Sequence, residues 1–245
     1  MKKIIVGFSG GVTSAWCAGW ALRNFPKNEI VLLFHDTKEE DDDTYRFIHE
    51  MSTKLDIPIT ERSDGRSLTE LIYDENMIPN NRVPFCSRVL KIEPGEKYIA
   101  ELREAGITDI QKIFGFSALE ERRVQVQTAM GWKLGFTARF PMIEDGITKQ
   151  QAADWCQCTM GVRLPRMYKW SEHANCPGCF RGGKAYWLNV QTHMPEVFQR
   201  RMKLEKELGY TISSRYSLEQ IQNDGLKRNV NRKESIEIGN CECGD

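Results

Sequence analysis

The chain has 245 residues, with 34 lysines and arginines against 34 aspartates and glutamates. Zero formal charge excludes an overall basic field of the kind that marks nucleic-acid binders, though it leaves room for a local patch. The length suits one sizeable α/β domain carrying a small appended module. No apolar stretch approaches the ~20 residues that span a bilayer. The N-terminal "MKKIIVGFSGG" meets Gly10-Gly11 too early for a secretory signal, so a cytoplasmic protein with no membrane partner is expected. Eight cysteines in a reducing compartment point to metal or redox chemistry more than to a disulfide scaffold.

The first half alternates between two periods. "KIIVGFS" reads as a buried strand and "TSAWCAGWALRNF" as a helix. "EIVLLFHDT", "DDDTYRFIHEMSTKLD" and "IPITERS" then give strand, helix and strand. "SLTELIYDE" and "EPGEKYIAELREAG" are predicted helices, and "DIQKIFGFS" a fourth strand. This rhythm predicts a parallel, doubly wound sheet with helices on both faces.

After Ser117 the pattern changes. "ALEERRVQVQTAMG" is predicted helical, and Thr148 caps a further helix. The segment from Arg163 to Gly183 is rich in Pro, Gly, Cys and aromatic residues and has no clear period. "PEVFQRRMKLEKELG" is a helix opened by Pro195 and closed by Gly209. No internal repeat is present. We divide the chain into a nucleotide-binding α/β domain over 1–160 and an extension over 161–245, which holds a Cys-rich loop, helices and a tail packed on the first domain. Cys17, Cys156, Cys158, Trp187 and Phe198 are expected in the core.

Between the first strand and helix lies Ser9-Gly10-Gly11-Val12-Thr13-Ser14. Such a loop can be a plain tight turn. It can also cradle an anion, with backbone N–H groups and the Ser9, Thr13 and Ser14 hydroxyls converging beside a positive helix end. It resembles the PP-loop, S-G-G-x-D-S, of the ATP pyrophosphatases in the adenine nucleotide alpha hydrolase-like (HUP) superfamily, with Thr13 in place of the acidic residue. The resemblance implies a Rossmann-like sheet and ATP cleaved between its α and β phosphates. Mg2+ is a candidate companion ion, although Thr13 brings no carboxylate to hold it. Asp36-Thr37, at the end of the second strand, resembles the phosphoadenylyl-sulfate (PAPS) reductase branch, while its simpler reading is a helix cap. "GFSALEERRV" resembles the phage and bacterial subgroup of that branch. There Arg122 and Arg123 face phosphate charge if they are not merely a solvated helix face, and Lys184 in "RGGKAYW" is a further candidate.

Cys176-x-x-Cys179 is spaced for one metal or cluster, and alone it leaves zinc, an iron–sulfur cluster and a redox disulfide open. With Cys86 far upstream, the set resembles the [4Fe–4S] ligands of adenylyl-sulfate (APS) reductases less one cysteine. The fourth iron is then open, as in tRNA-thiolating relatives, or taken by Cys241 or Cys243. Glu242-Cys243-Gly244 echoes the C-terminal E-C-G of sulfonucleotide reductases, which implies Cys243 as a nucleophile. Three functions follow as expectations. The first is an ATP-dependent sulfurtransferase acting with a [4Fe–4S] cluster on an acceptor, a nucleic acid among the candidates. The second is a PAPS or APS reductase using Cys243. The third is a non-catalytic nucleotide-binding regulator. A sulfur or electron donor is an implied partner, and a homo-oligomer is left open.

Overall fold

The computed structural model describes residues 2–174 and 176–224. Five parallel strands, β1 (Lys2–Gly7), β2 (Ile30–His35), β3 (Ile59–Arg62), β4 (Asp109–Ile113) and β5 (Thr137–Arg139), form one sheet in the order β3-β2-β1-β4-β5. The fold is thus the expected α/β, Rossmann-like parallel sheet. Strand order reverses at β1, which lies between β2 and β4, and such a switch point opens a crevice at the carboxyl ends of the strands.

The helices are α1 (Val12–Asn24), α2 (Asp42–Leu55), α3 (Leu68–Asp74), α4 (Phe85–Ser87), α5 (Glu93–Glu104), α6 (Glu121–Leu134), α7 (Pro141–Glu144), α8 (Lys149–Asp154), α9 (Lys184–His193), α10 (Pro195–Leu208) and α11 (Leu218–Asp224). A wide turn, Arg88–Ile92, joins α4 to α5 without a break. Caps agree with their sequence signals. Ser67 and Thr148 each close a capping box with the third residue of their helix, and Gly209 ends α10 at φ 68°.

Strand residues alternate between two apolar layers. Ile4, Val6, Leu32 and Ile113 pack with α1 and α2, whereas Ile5, Val31, Leu33 and Ile110 pack with Tyr98, Ile99 and Phe136 on the other face. A further cluster joins Trp187 and Phe198, both fully buried, to Leu71, Ile72, Phe85 and Leu90. Residues from the first half therefore share a core with the C-terminal helices. Cys17 and Cys156 are buried as expected, but Cys158 is exposed. Residues two apart on a helix point to nearly opposite sides, so with Cys156 in the core Cys158 faces outward. Elements without a clear period went unread in the sequence: β5, only three residues long, and α9, where glycines and aromatics obscure the helical spacing. Among the described residues no helix is long and apolar enough to cross a membrane.

The Arg163–Gly183 segment is fastened to the start of α2. Asp43 Oδ1 accepts from Arg46 Nε at 2.7 Å and from Arg163 Nη2 at 2.7 Å, and its Oδ2 accepts from the Arg166 backbone N–H at 2.6 Å. Burial alone would push this carboxyl up, but the arginines and the backbone donor outweigh it and hold it well below the usual carboxylate range. A carboxyl lowered on folding contributes stability above its unfolded pKa and loses it as the pH falls toward the folded one. Asp43→Asn should cost about 1–3 kcal/mol at pH 7. Denaturant melts should show the gap to the parent narrowing in acid, since protonation removes the same contribution from the parent.

Candidate functional site

A cleft of about 1360 Å3 lies over the carboxyl ends of β1, β2 and β4. Its wall includes Ser9, Gly11, Thr13 and Ser14, so the loop before α1 opens into it. Gly10 adopts φ 77°, and a Cβ there would lie 2.5 Å from Thr44 Cγ2 on α2. Only glycine fits both the backbone sign and the close approach. Gly11 caps α1 with no side-chain hydrogen bond, and the first turn carries no acidic residue. An uncapped helix start facing a cleft suits an anion. Part of the loop's capacity is spent internally: the Val12 N–H donates to Tyr168 Oη at 3.1 Å, and Ser14 Oγ donates to the Gly11 carbonyl at 2.8 Å. Gly115 lies under the loop, where a Cβ would come within 2.8 Å of the Thr13 carbonyl carbon.

The other expected residues divide. Arg123 lines the cleft, pairs with Glu120, and stacks its guanidinium 4.0 Å from the centre of the Phe116 ring. Arg122 is exposed and is not part of the cleft wall. Lys184, at the start of α9, is also off the wall, with Nζ 3.5 Å from Asp224 Oδ2. Asp36 is occupied by the Tyr45 hydroxyl at 2.5 Å and by the Lys38 backbone N–H at 2.8 Å. Thr37 is buried, with Oγ1 3.2 Å from both Glu40 Oε1 and Cys176 Sγ. Cys241 and Cys243 lie outside the described residues.

Cys86, Cys176 and Cys179 come from α4 and from the segment before α9, yet they act on one another electrostatically: Cys179 raises the thiol pKa of both Cys86 and Cys176. Cys176 is buried, with Sγ 3.2 Å from Glu40 Oε1. Burial first, and then Glu40, pushes its thiol up to about 12. Lys91 stands beside them, 3.4 Å from Glu40 Oε1. The Cys176 thiolate foremost, with Glu40 and Cys179, raises the lysine against the cost of burial, and while the Cys176 thiol is protonated the ion pair with Glu40 is what faces the ammonium. Glu40 and Lys91 also line the cleft. The cysteines thus adjoin the cleft through two shared side chains.

Among the described residues no group of three His, Cys, Asp or Glu side chains is gathered closely enough for a single metal ion.

Besides Glu40 and Lys91, two further groups escaped the sequence reading. His35 ends β2 and Lys112 lies near the end of β4, and both line the cleft. Burial first, then Lys112 and Lys91, lowers His35 to about 3. Burial lowers Lys112 to about 8, with Glu96 opposing. The available signal was a basic residue inside each of two otherwise apolar runs, "LLFHD" and "IQKIF".

Residues 3–135 match the model of the phosphoadenosine phosphosulfate reductase domain. The chain belongs to that family. Among solved structures it is similar to the crystal structure of phosphoadenylyl-sulfate (PAPS) reductase from Candida auris in its phosphate complex. The likeness has a TM-score of 0.45 and 13% identity, and covers 69% of this chain and 78% of that one. No curated protein matches it.

In protein prepared without iron, the Cys176 thiol should alkylate with iodoacetamide at pH 8 at least about a hundredfold more slowly than a free cysteine, because thiolate is the reacting form. Peptide mass spectrometry after timed labelling reads this directly. Fast labelling would mean that Lys91 outweighs burial and Glu40.

Proposed function

We propose that this family member binds ATP on the Ser9–Ser14 loop and cleaves it to AMP and pyrophosphate. The cleavage activates an acceptor, a nucleic acid among the candidates, for sulfur transfer assisted by a [4Fe–4S] cluster held by Cys86, Cys176 and Cys179. The observation that carries this reading is the double role of Glu40 and Lys91, which line the cleft and also contact or charge-couple to Cys176. It puts thiol chemistry next to the loop that would receive the phosphates.

In this reading the start of α1 and the glycines receive phosphate oxygens, and Arg123 adds charge from the opposite wall. Lys91 compensates negative charge on the thiolates, and Glu40 holds Lys91 in register with Cys176. The cluster, when bound, would supply an iron able to take up sulfide. Arg122, Lys184, Asp36 and Thr37 complete the proposed nucleotide set, with Thr37 acting through Cys176. Mg2+ would have to be held by the nucleotide and water, since Thr13 offers no carboxylate. A second reading, reduction of PAPS or APS with Cys243 as nucleophile, is favoured by the family match over residues 3–135.

Anaerobically purified protein given ATP or PAPS separates the two readings. Pyrophosphate and AMP are the expected products, and sulfite would favour the reductase. Gly10→Val should abolish nucleotide binding by calorimetry. Arg123→Ala should weaken it by about 1.5–3 kcal/mol, more than the same change at Arg122 or Lys184. Alanine at Cys86, Cys176 or Cys179 should bleach a brown protein. Cys243→Ala should leave the colour, and should stop turnover only in a reductase. An unchanged affinity in Gly10→Val would sink the loop reading.

A further inference from the structure

The cleft extends to the α5–α6 side of the sheet, away from α1. On β2 and β4 the alternation that sends Phe34 and Ile113 toward α1 sends Leu33 and Ile110 toward α5 and α6. His35 and Lys112 share the parity of those latter residues and close the strand ends there. The walls of this arm are apolar: Leu33, Phe114, Met130 and Phe136.

Three observations point to a missing anion. His35 Nε2 is buried without a hydrogen-bond partner. Lys112 makes no ion pair with a described residue, and its ammonium lies 5.3 Å from the centre of the Phe114 ring and 5.5 Å from that of Phe136. Gly95 of α5 packs closely against both nitrogens and so brings them together: a Cβ there would lie 3.0 Å from His35 Nε2 and 3.7 Å from Lys112 Nζ. The titratable groups facing Lys112 are His35 on β2, and Lys91 and Glu96 on the stretch from α4 to α5. From α6 the arm receives Met130, Leu134 and Gln127. The local balance is two amines and an imidazole against one carboxylate, with Glu40 already engaged by Lys91.

We propose that this arm is a second anion subsite, distinct from the loop before α1, in which Lys112 and His35 Nε2 hold an oxyanion of the substrate or acceptor while the apolar walls enclose the body attached to it. The proposal rests on the reading of the cleft as a ligand site, but not on the cysteines or on the identity of the nucleotide. An uncapped ammonium among aromatic rings is costly to keep charged, and an anion beside it reverses that cost. In the free protein Lys112 titrates near 8, so an oxyanion bound there draws in a proton.

Calorimetric titration of the full chain with sodium sulfate, and separately with sodium benzenesulfonate, tests this at pH 8 in two buffers of different ionisation enthalpy. The expected result is uptake of about half a proton per site. Lys112→Met should weaken binding about ten- to a hundredfold and remove the uptake. Lys112→Arg should keep the affinity and lose the uptake, which guards against a misfolded Lys112→Met, and Gly10→Val should keep both. Tighter benzenesulfonate would identify an oxyanion on an apolar body, and sulfate alone a free inorganic anion. Either supports the subsite. Unchanged affinity and uptake in Lys112→Met, or uptake lost in Gly10→Val but kept in Lys112→Met, would overturn it. If the nucleotide reading fails instead, the parent protein gives no heat with ATP or PAPS while the sulfate response persists.

Discussion

The contact between Cys176 and the end of β2 ties the C-terminal part of the molecule to its nucleotide-type sheet. Cys176 Sγ meets Thr37 Oγ1 and Glu40 Oε1, both at 3.2 Å, and Glu40 in turn meets Lys91. Three segments distant in sequence converge there: the loop after β2, the continuous stretch from α4 to α5 that carries Cys86 and Lys91, and the loop before α9. A buried carboxylate and a thiol share a low-dielectric space with one ammonium, so removing any one member leaves the others undercompensated. Two further links brace the same join. Arg201 pairs with Glu39 and donates to Thr69 Oγ1 at 3.1 Å, while Asp43 gathers Arg163 and Arg166 on the other side of the loop.

That arrangement explains why the cleft carries two kinds of chemistry on one sheet. The switch point at β1 opens the crevice, the glycine loop gives it an uncapped helix start, and the Glu40–Lys91 pair gives it an end bordering Cys176. His35 and Lys112 add a basic, apolar-walled arm on the opposite face. Parallel strands are responsible for this grouping, because every carboxyl end lies on the same edge of the sheet.

Much of this was legible in the residues. Apolar runs marked β1 and β2, since a strand buried on both faces is largely apolar, and the alternation of strand and helix patterns marked β3 and β4. Gly10-Gly11 between strand and helix marked the loop, because the tight approach to α2 admits no side chain. Cys86, Cys176 and Cys179 were grouped by resemblance and spacing. Other elements had no local signal. β5 is a three-residue strand whose pairing with β4 comes from the sheet edge.

Sequence by itself therefore determined the α/β class, the strand order's local ingredients and the anion-type loop, because these depend on periodicity and on glycine at particular positions. Only the tertiary structure decided which charged groups reach the cleft. Arg123 lines it and Arg122 does not, although they are adjacent, because successive residues of a helix point about 100° apart. Lys91, Lys112, His35 and Glu40 look like ordinary surface residues when read along the chain. The shifted acidities of Lys91, Lys112 and His35 arise from neighbouring charges and from burial, and burial is a property of the packed strands and helices, not of any single segment.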